Sequence, residues 1–359
     1  MYSFDKANLA LKAVCPNNEI IVDDKNMPSV MVKIPKMTYA QLGLGDSTAT
    51  FPAFLINGQE VDAIYISKYQ NIVQNSRAYS LPGEDPKASI NFDTARQACE
   101  AKGDGWHLMT RLEWMALALW CKANGTMPKG NNNYGKDHSE TTYKAIPTYK
   151  DADGKTLRVA TGTGPLTWSH DGTEAGIWDL NGNVYEWVGG MRTVYGELQV
   201  LVNNNAADPA HSQAATSAEW KAIDATTGEL ITPNGDGRTS NSLKASWTGS
   251  AWKWISGTPA TDTTYHGCTL EAITVDSGIG AGAILMLQAL GLYKYDTTSG
   301  AYGGDYIYMD VTQAERSFGC GGYWSFGSSA GVFCAGGDYG RSNSNSSIGF
   351  RSAYCKLPS

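Results

Sequence analysis

Asp179-Leu-Asn-Gly-Asn-Val-Tyr-Glu-Trp187 is the stretch whose reading decides the fold. Asn181-Gly182 favours a tight turn because both residues tolerate left-handed backbone. Val184, Tyr185 and Trp187 are strand formers, so the segment predicts a turn running into a strand through Val188. Upstream, Thr110 followed by Glu113 makes a capping box. Leu112, Met115, Ala116, Leu119 and Trp120 then recur at helical spacing as far as Lys122 and Gly125. Asn91 and Asp93 cap a second helix through about Ala101, with Phe92, Ala95, Ala98 and Cys99 as its apolar positions and Gly103 and Gly105 as its stop. Downstream, Ala314 to Leu357 carries Gly, Ser and Asn at a density that predicts mostly loop between short strands.

The rest of the chain fits an α+β protein. Glu19 to Pro35 reads as a short hairpin around Asp23, Asp24, Lys25 and Asn26, and Val61 to Tyr69 as another strand. Residues 130–135 and 162–172 are loops. The segment 195–310 is rich in Ala, Thr, Asn, Gly and Ser, with strand-like runs at Leu198 to Val202 and Ser250 to Ile255, and reads as a large insertion. Ala281 to Leu292 is too short and interrupted for a membrane span and reads as a buried helix. The expected division is an N-terminal β-rich segment over 1–58 and a main domain over 59–359.

Composition excludes several functions. The net charge is −7 with no Lys/Arg cluster, so nucleic acid is not an expected partner, nor is membrane insertion. Seven cysteines, widely spaced and without a Cys-x-x-Cys pair, argue against a disulfide framework and a zinc site. The five histidines form no metal pair, and no Gly-x-Ser-x-Gly elbow or phosphate loop is present. His170 beside Asp171 reads as a loop residue rather than a general base. Asp5 and Lys6 stand where a signal peptide has a basic stretch and an apolar run, so synthesis in the cytoplasm without export is expected.

Three motifs in this order, His107-Leu-Met-Thr-Arg-Leu-Glu-Trp114, Asp179 to Trp187, and Gly321-Gly-Tyr-Trp324 ending in Gly349-Phe-Arg351, resemble the formylglycine-generating-enzyme branch of the C-type lectin fold. The resemblance covers about 60–192 and 314–355 and implies that fold, with the insertion and the N-terminal β segment added. In the enzyme branch two cysteines after the Gly-Gly-x-aromatic element hold copper. Those places here hold Phe326 and Gly331, so no enzymatic activity is expected. The remaining pattern, with Trp106-His-Leu-Met-Thr110 and Gly327-Ser-Ser-Ala-Gly-Val-Phe333, is similar to the variable proteins of diversity-generating retroelements, particularly phage-encoded ones.

That resemblance implies a face over about 316–351 whose residues are exchanged by adenine-directed mutagenesis. Codons of the AAC type so mutated cannot yield Lys, Glu, Gln, Met or Trp. From Ser317 to Ser347 there is no Lys, Glu, Gln or Met, and Trp324 lies in the expected framework with Arg351. The diversified positions implied are Gly319, Cys320, Ser325, Phe326, Ala335, Gly336, Asp338, Tyr339, Asn343 and Ser346. Phe326 and Tyr339 are the candidate anchors of a ligand, with a loop aromatic folded onto the core as the other reading of each. The implied partner is a host cell-surface protein or glycan, bound by a virion tail protein that is a homo-oligomer, or less favourably by a protein on the bacterial surface.

By the same resemblance Asp179, Gly182, Val184 and Glu186 supply two carboxylates and two carbonyls to a structural calcium. Satisfaction of backbone donors around Asn181-Gly182 is the second reading of the two carboxylates. No cofactor is otherwise expected. Two further functions stay open: a copper oxidoreductase with relocated thiols Cys320 and Cys334, and a surface lectin.

Overall fold

A computed structural model describes residues 3–142, 145–260 and 264–358. Part of the insertion, 261–263, lies outside the described residues, as do the ends of the two expected domains, 1–2 and 359. The protein is mixed α+β, with many short strands and few helices.

The local helix signals act as expected. Asn91 caps the helix Phe92–Glu100 by accepting from the Thr94 amide at 2.8 Å. Thr110 and Glu113 form the reciprocal capping box of the helix Arg111–Asn124, which ends at Gly125 in a left-handed conformation. Residues 281–289 are helical but buried along one side only. Ala283, Leu287 and Ala289 are sealed while Ile284 to Met286 are partly open, so the helix expected to be buried is buried on one face. A further helix, Ser3–Val14, was not anticipated.

Two sheets organise the chain. In the first, the strands run in the order Asn18–Val22, Pro28–Pro35, Ala63–Ser67, Ser352–Tyr354 and Trp106–Leu108. The hairpin read around Asp23 is therefore the edge of a sheet that also contains the last strand of the chain. The boundary expected near residue 58 runs through a continuous layer of hydrogen bonds.

The second sheet has twelve strands. Tyr185–Val194 pairs with Arg316–Gly321 on one side and, in parallel, with Ile348–Phe350 on the other. Arg316–Gly321 pairs with Gly331–Tyr339, which pairs in parallel with Tyr306–Met309. The segment 195–310 thus extends the main sheet at both ends rather than sitting apart from it.

The Gly-rich C-terminal stretch is also more regular than expected, with strands of six and nine residues. Its glycines are there for close approach. A Cβ on Gly319 would lie 2.8 Å from the Tyr185 ring, and one on Gly337 2.5 Å from Phe318. At Gly319 and Gly337 the place of a side chain is taken by an aromatic ring from a neighbouring strand.

The helix Arg111–Asn124 braces these strands from behind. Trp114 donates from Nε1 to the Val332 carbonyl at 2.7 Å, and Arg111 from Nη1 to Cys320 Sγ at 2.8 Å. On the other side Phe92 meets Trp187 edge to face at 6.1 Å, and Trp187 Nε1 donates to the Ile90 carbonyl. The helix Arg111–Asn124 thus holds the strands carrying residues 316–339, and Phe92 packs on the neighbouring strand at Trp187.

Candidate functional site: an aromatic face on a braced sheet

The turn before Tyr185 fixes where the face begins. Asp179 and Asn183 have left-handed backbone, as does Gly182, where a Cβ would strike the Asn131 carbonyl. The Asp179, Gly182 and Val184 carbonyls and Glu186 Oε1 converge on one point, and that point is Gln70 Nε2, at 3.2, 3.3, 3.0 and 2.9 Å. Gln70 Oε1 in turn accepts from Asn183 Nδ2 at 2.9 Å, which sets the orientation of the amide.

Glu186 is fully committed elsewhere as well. Arg351, which has no exposed surface, grips it with two charge-assisted bonds of 2.6 and 2.7 Å and donates to the Ser67 and Trp178 carbonyls at 3.0 Å. Arg351 is a framework residue, as its place beside Phe350 suggested.

The four residues expected to hold calcium are therefore brought together, but a neutral amide stands at their centre. Asp179 contributes its carbonyl; its carboxylate turns away, one oxygen accepting from the Gly162 amide at 2.9 Å and the other unpartnered. Burial pushes that carboxyl up to about 6. A cation would have to displace Gln70, so the residues present do not fit a calcium site. Among the described residues no cluster of three or more His, Cys, Asp or Glu forms another.

Beyond the turn, the ten positions implied as exchangeable separate into two groups. Ser325, Asn343 and Ser346 are exposed, and Phe326, Asp338 and Tyr339 are half-buried. Gly319, Cys320, Ala335 and Gly336 are sealed, Cys320 and Ala335 with no accessible surface at all. These four correct the expectation that they meet a ligand. They lie on paired strands, Gly319 opposite Gly336 and Cys320 opposite Ala335, beneath the face rather than on it.

The face is aromatic. Tyr185, buried, lies at its centre, with ring centroids of Tyr323, Phe326 and Tyr339 at 6.5, 5.6 and 6.2 Å. Phe326 also meets Tyr323 at 4.3 Å and Tyr308 at 5.4 Å, and Tyr339 meets Trp187 at 6.2 Å. Phe326 and Tyr339 are half-buried, each ring resting on core aromatics with part of its surface open to solvent. Trp324 is buried behind them against Val184 and Ala88.

Tyr323, Tyr306 and Tyr308 belong to this surface and were not singled out in the sequence. The signal for two of them was there. Tyr306-Ile-Tyr-Met309 alternates, with Ile307 and Met309 fully buried and the two tyrosines partly open.

Charge on the face is sparse. The rim holds Arg341 bound to Asp93 and Glu315 at 2.7 and 3.0 Å, and Arg316 bound to Asp310 at 2.7 Å. Asp338 has no ion pair among the described residues. Burial pushes its carboxyl up to about 6, against the attraction of Arg316.

Cys320 and Cys334 lie on adjacent strands but on opposite faces of the sheet. Cys320 shares its side with its partner Ala335, in the cluster that holds Trp114 and Phe318, while Cys334 packs in the cluster of Tyr185 and Trp187. Burial raises both thiols, Cys320 to about 11 despite Arg111. Two protonated thiols separated by a sheet do not make a copper pair.

No family model and no curated protein matches the sequence. Solved structures similar to it include PvdO from Pseudomonas aeruginosa (13% identity over 93% of this chain and 97% of that one, TM-score 0.32). Treponema denticola variable protein 1 gives 12% over 94% and 98%, with a TM-score of 0.33. The Major Tropism Determinant P3c variant gives 12% over 94% and 71%, with a TM-score of 0.30. At such TM-scores these similarities carry no weight for fold or function.

Proposed function

We propose that this chain is a ligand-displaying protein with a C-type-lectin-type fold of the formylglycine-generating-enzyme-like subclass, and not an enzyme. In this reading it is the variable protein of a phage-type diversity-generating retroelement, and its C-terminal face recognises a protein or glycan on a host surface. Residence in a virion tail and assembly as a homo-oligomer belong to the same reading. The observation that carries it is the division of the C-terminal segment. Ser325, Phe326, Asp338, Tyr339, Asn343 and Ser346 reach the surface, above strands whose Gly319 and Gly337 lie against aromatic rings and which the helix Arg111–Asn124 holds from behind.

Such an arrangement suits recognition. Tyrosine and phenylalanine give large rigid contact area at low entropic cost, while Ser and Asn give adaptable hydrogen bonds. Ser325, Asn343 and Ser346 are exposed, so they can be exchanged while the sheet stays intact, whereas exchange at Phe326 or Tyr339 also changes packing on the core. The separation of Cys320 from Cys334 weighs against the oxidoreductase alternative.

The test is adsorption of the tagged protein to a panel of intact bacterial cells, compared with a variant in which Ser325, Tyr339 and Asn343 are replaced by alanine. Saturable binding to some strains, lost in the variant, supports the reading. Equal binding by both proteins, or by neither to any strain, would count against it.

A further inference from the structure

A pocket separate from the aromatic face opens on the first sheet. It lies between the strand Pro28–Pro35, the helix Arg111–Asn124 and residues 170–175, holds about 180 Å³, and shares no lining residue with the face. Val32, Ile34, Met37, Leu117 and Trp120 give it apolar walls, and Asn17, Lys33 and Pro35, all exposed, form its rim. A small molecule can therefore enter it from solvent.

One polar ring stands among those walls. His170, 5% exposed, lines the pocket beside Trp120, with ring centroids 5.2 Å apart. Its Nδ1 accepts from the Ile177 amide at 2.8 Å, so Nδ1 carries no proton. Burial, against the pull of Asp171 and helped by Arg351 and Lys68, holds the imidazole below its usual value, so the ring is neutral and its proton sits on Nε2. Nε2 has no hydrogen-bond partner among the described residues and is not sealed, so this donor opens into the pocket. A fixed N–H donor among apolar walls is how a small-ligand site sets orientation.

The walls narrow the class of ligand. Lys33 and Asp171 put one charge of each sign beside the pocket, so no net charge attracts an ion, and the apolar walls would not replace an ion's hydration. The size suits a single ring, since a cavity of about 150 Å³ lined by apolar side chains binds benzene. We propose that this pocket binds a small uncharged carbonyl compound of about one ring, whose oxygen accepts from His170 Nε2 and whose apolar body lies against Trp120 and Leu117.

The inference is independent of the reading of the C-terminal face. The full chain is titrated with acetophenone and with ethylbenzene, alike in shape but with and without the carbonyl, and followed by ligand-observed NMR. Saturable binding of acetophenone, about tenfold tighter than that of ethylbenzene, is expected. Ala175→Phe, which fills the mouth of the pocket and removes no side-chain hydrogen bond, abolishes binding of both. His170→Phe, its folding checked by circular dichroism, binds the two compounds equally; if it does not fold, the wild-type contrast and Ala175→Phe decide. Absence of saturable acetophenone binding, equal affinity of wild type for both compounds, or binding that survives Ala175→Phe would overturn the proposal.

Discussion

Replacing Gln70 with alanine empties the centre of the oxygen cage under the 179–186 turn. Its Nε2 has two hydrogens shared among four acceptors within 3.3 Å, and its Oε1 accepts one bond from Asn183. The loss is thus about three hydrogen bonds at about 1 kcal/mol each, plus a further 1–3 kcal/mol, roughly, for buried carbonyls that incoming water does not serve. A total of about 4–6 kcal/mol follows. With unfolding entropy of about 2.1 cal/mol/K per residue, that lowers Tm by about 5–8 °C for a chain of this length. The assay is thermal unfolding by circular dichroism, with calcium and with chelator. The freed oxygens are the hard ligands calcium prefers, so millimolar calcium recovers part of the loss in Gln70→Ala and leaves wild type unchanged. A wild-type Tm that rises with calcium or falls with chelator would show that the cage belongs to a cation, and an unchanged Tm in Gln70→Ala would show that the amide does not hold the turn.

Gly336→Ala drives a methyl group into the Tyr185 hydroxyl and Asp338, and Gly319→Ala into the Tyr185 ring, so each lowers stability by about 1–3 kcal/mol in denaturant titration. Phe326→Ala removes a half-buried ring packed on Tyr185, Tyr308 and Tyr323, and costs roughly half the 3–5 kcal/mol of a fully buried phenylalanine, a loss read in the same titration. Asp338 has a folded value of about 6, raised above its unfolded value. Its contribution is therefore neutral below about pH 4, grows more destabilising as pH rises from about 4 to 6, and levels off above 6. Asp338→Asn is accordingly more stable than wild type at pH 7.5, by up to about 3 kcal/mol at 1.36 kcal/mol per pH unit, and the difference vanishes at pH 4.

Local signals were legible in the sequence and long-range ones were not. The Thr110 and Glu113 capping box and the Asn91 cap act over three residues, so the pattern contains the interaction. The Asn181-Gly182 turn was visible for the same reason, but Gln70, more than a hundred residues away in sequence, fills its cage. Calcium-type spacing in Asp179 to Glu186 says which oxygens converge and not what they converge on.

The face itself was half legible. Gly and Ser density from 316 onward suggested loop, which hid the period-2 alternation that separates Cys320 and Ala335 from the surface. Glycines whose missing side chains are replaced by Tyr185 and Phe318 look identical, in sequence, to glycines in a loop. Tyr306 and Tyr308 lay in a segment read as an insertion, and only the parallel pairing of Tyr306–Met309 with Gly331–Tyr339 brings them to the site.

The central claim is that a braced sheet carries side chains free to change, and sequencing the 3′ end of the gene across a population of closely related isolates tests it most directly. The account predicts adenine-patterned variation at the codons for Ser325, Phe326, Asp338, Tyr339, Asn343 and Ser346, with Gly319, Cys320, Ala335, Gly336 and Tyr185 constant. Uniform sequence at all of these codons, or variation spread equally over the sealed positions, would contradict it.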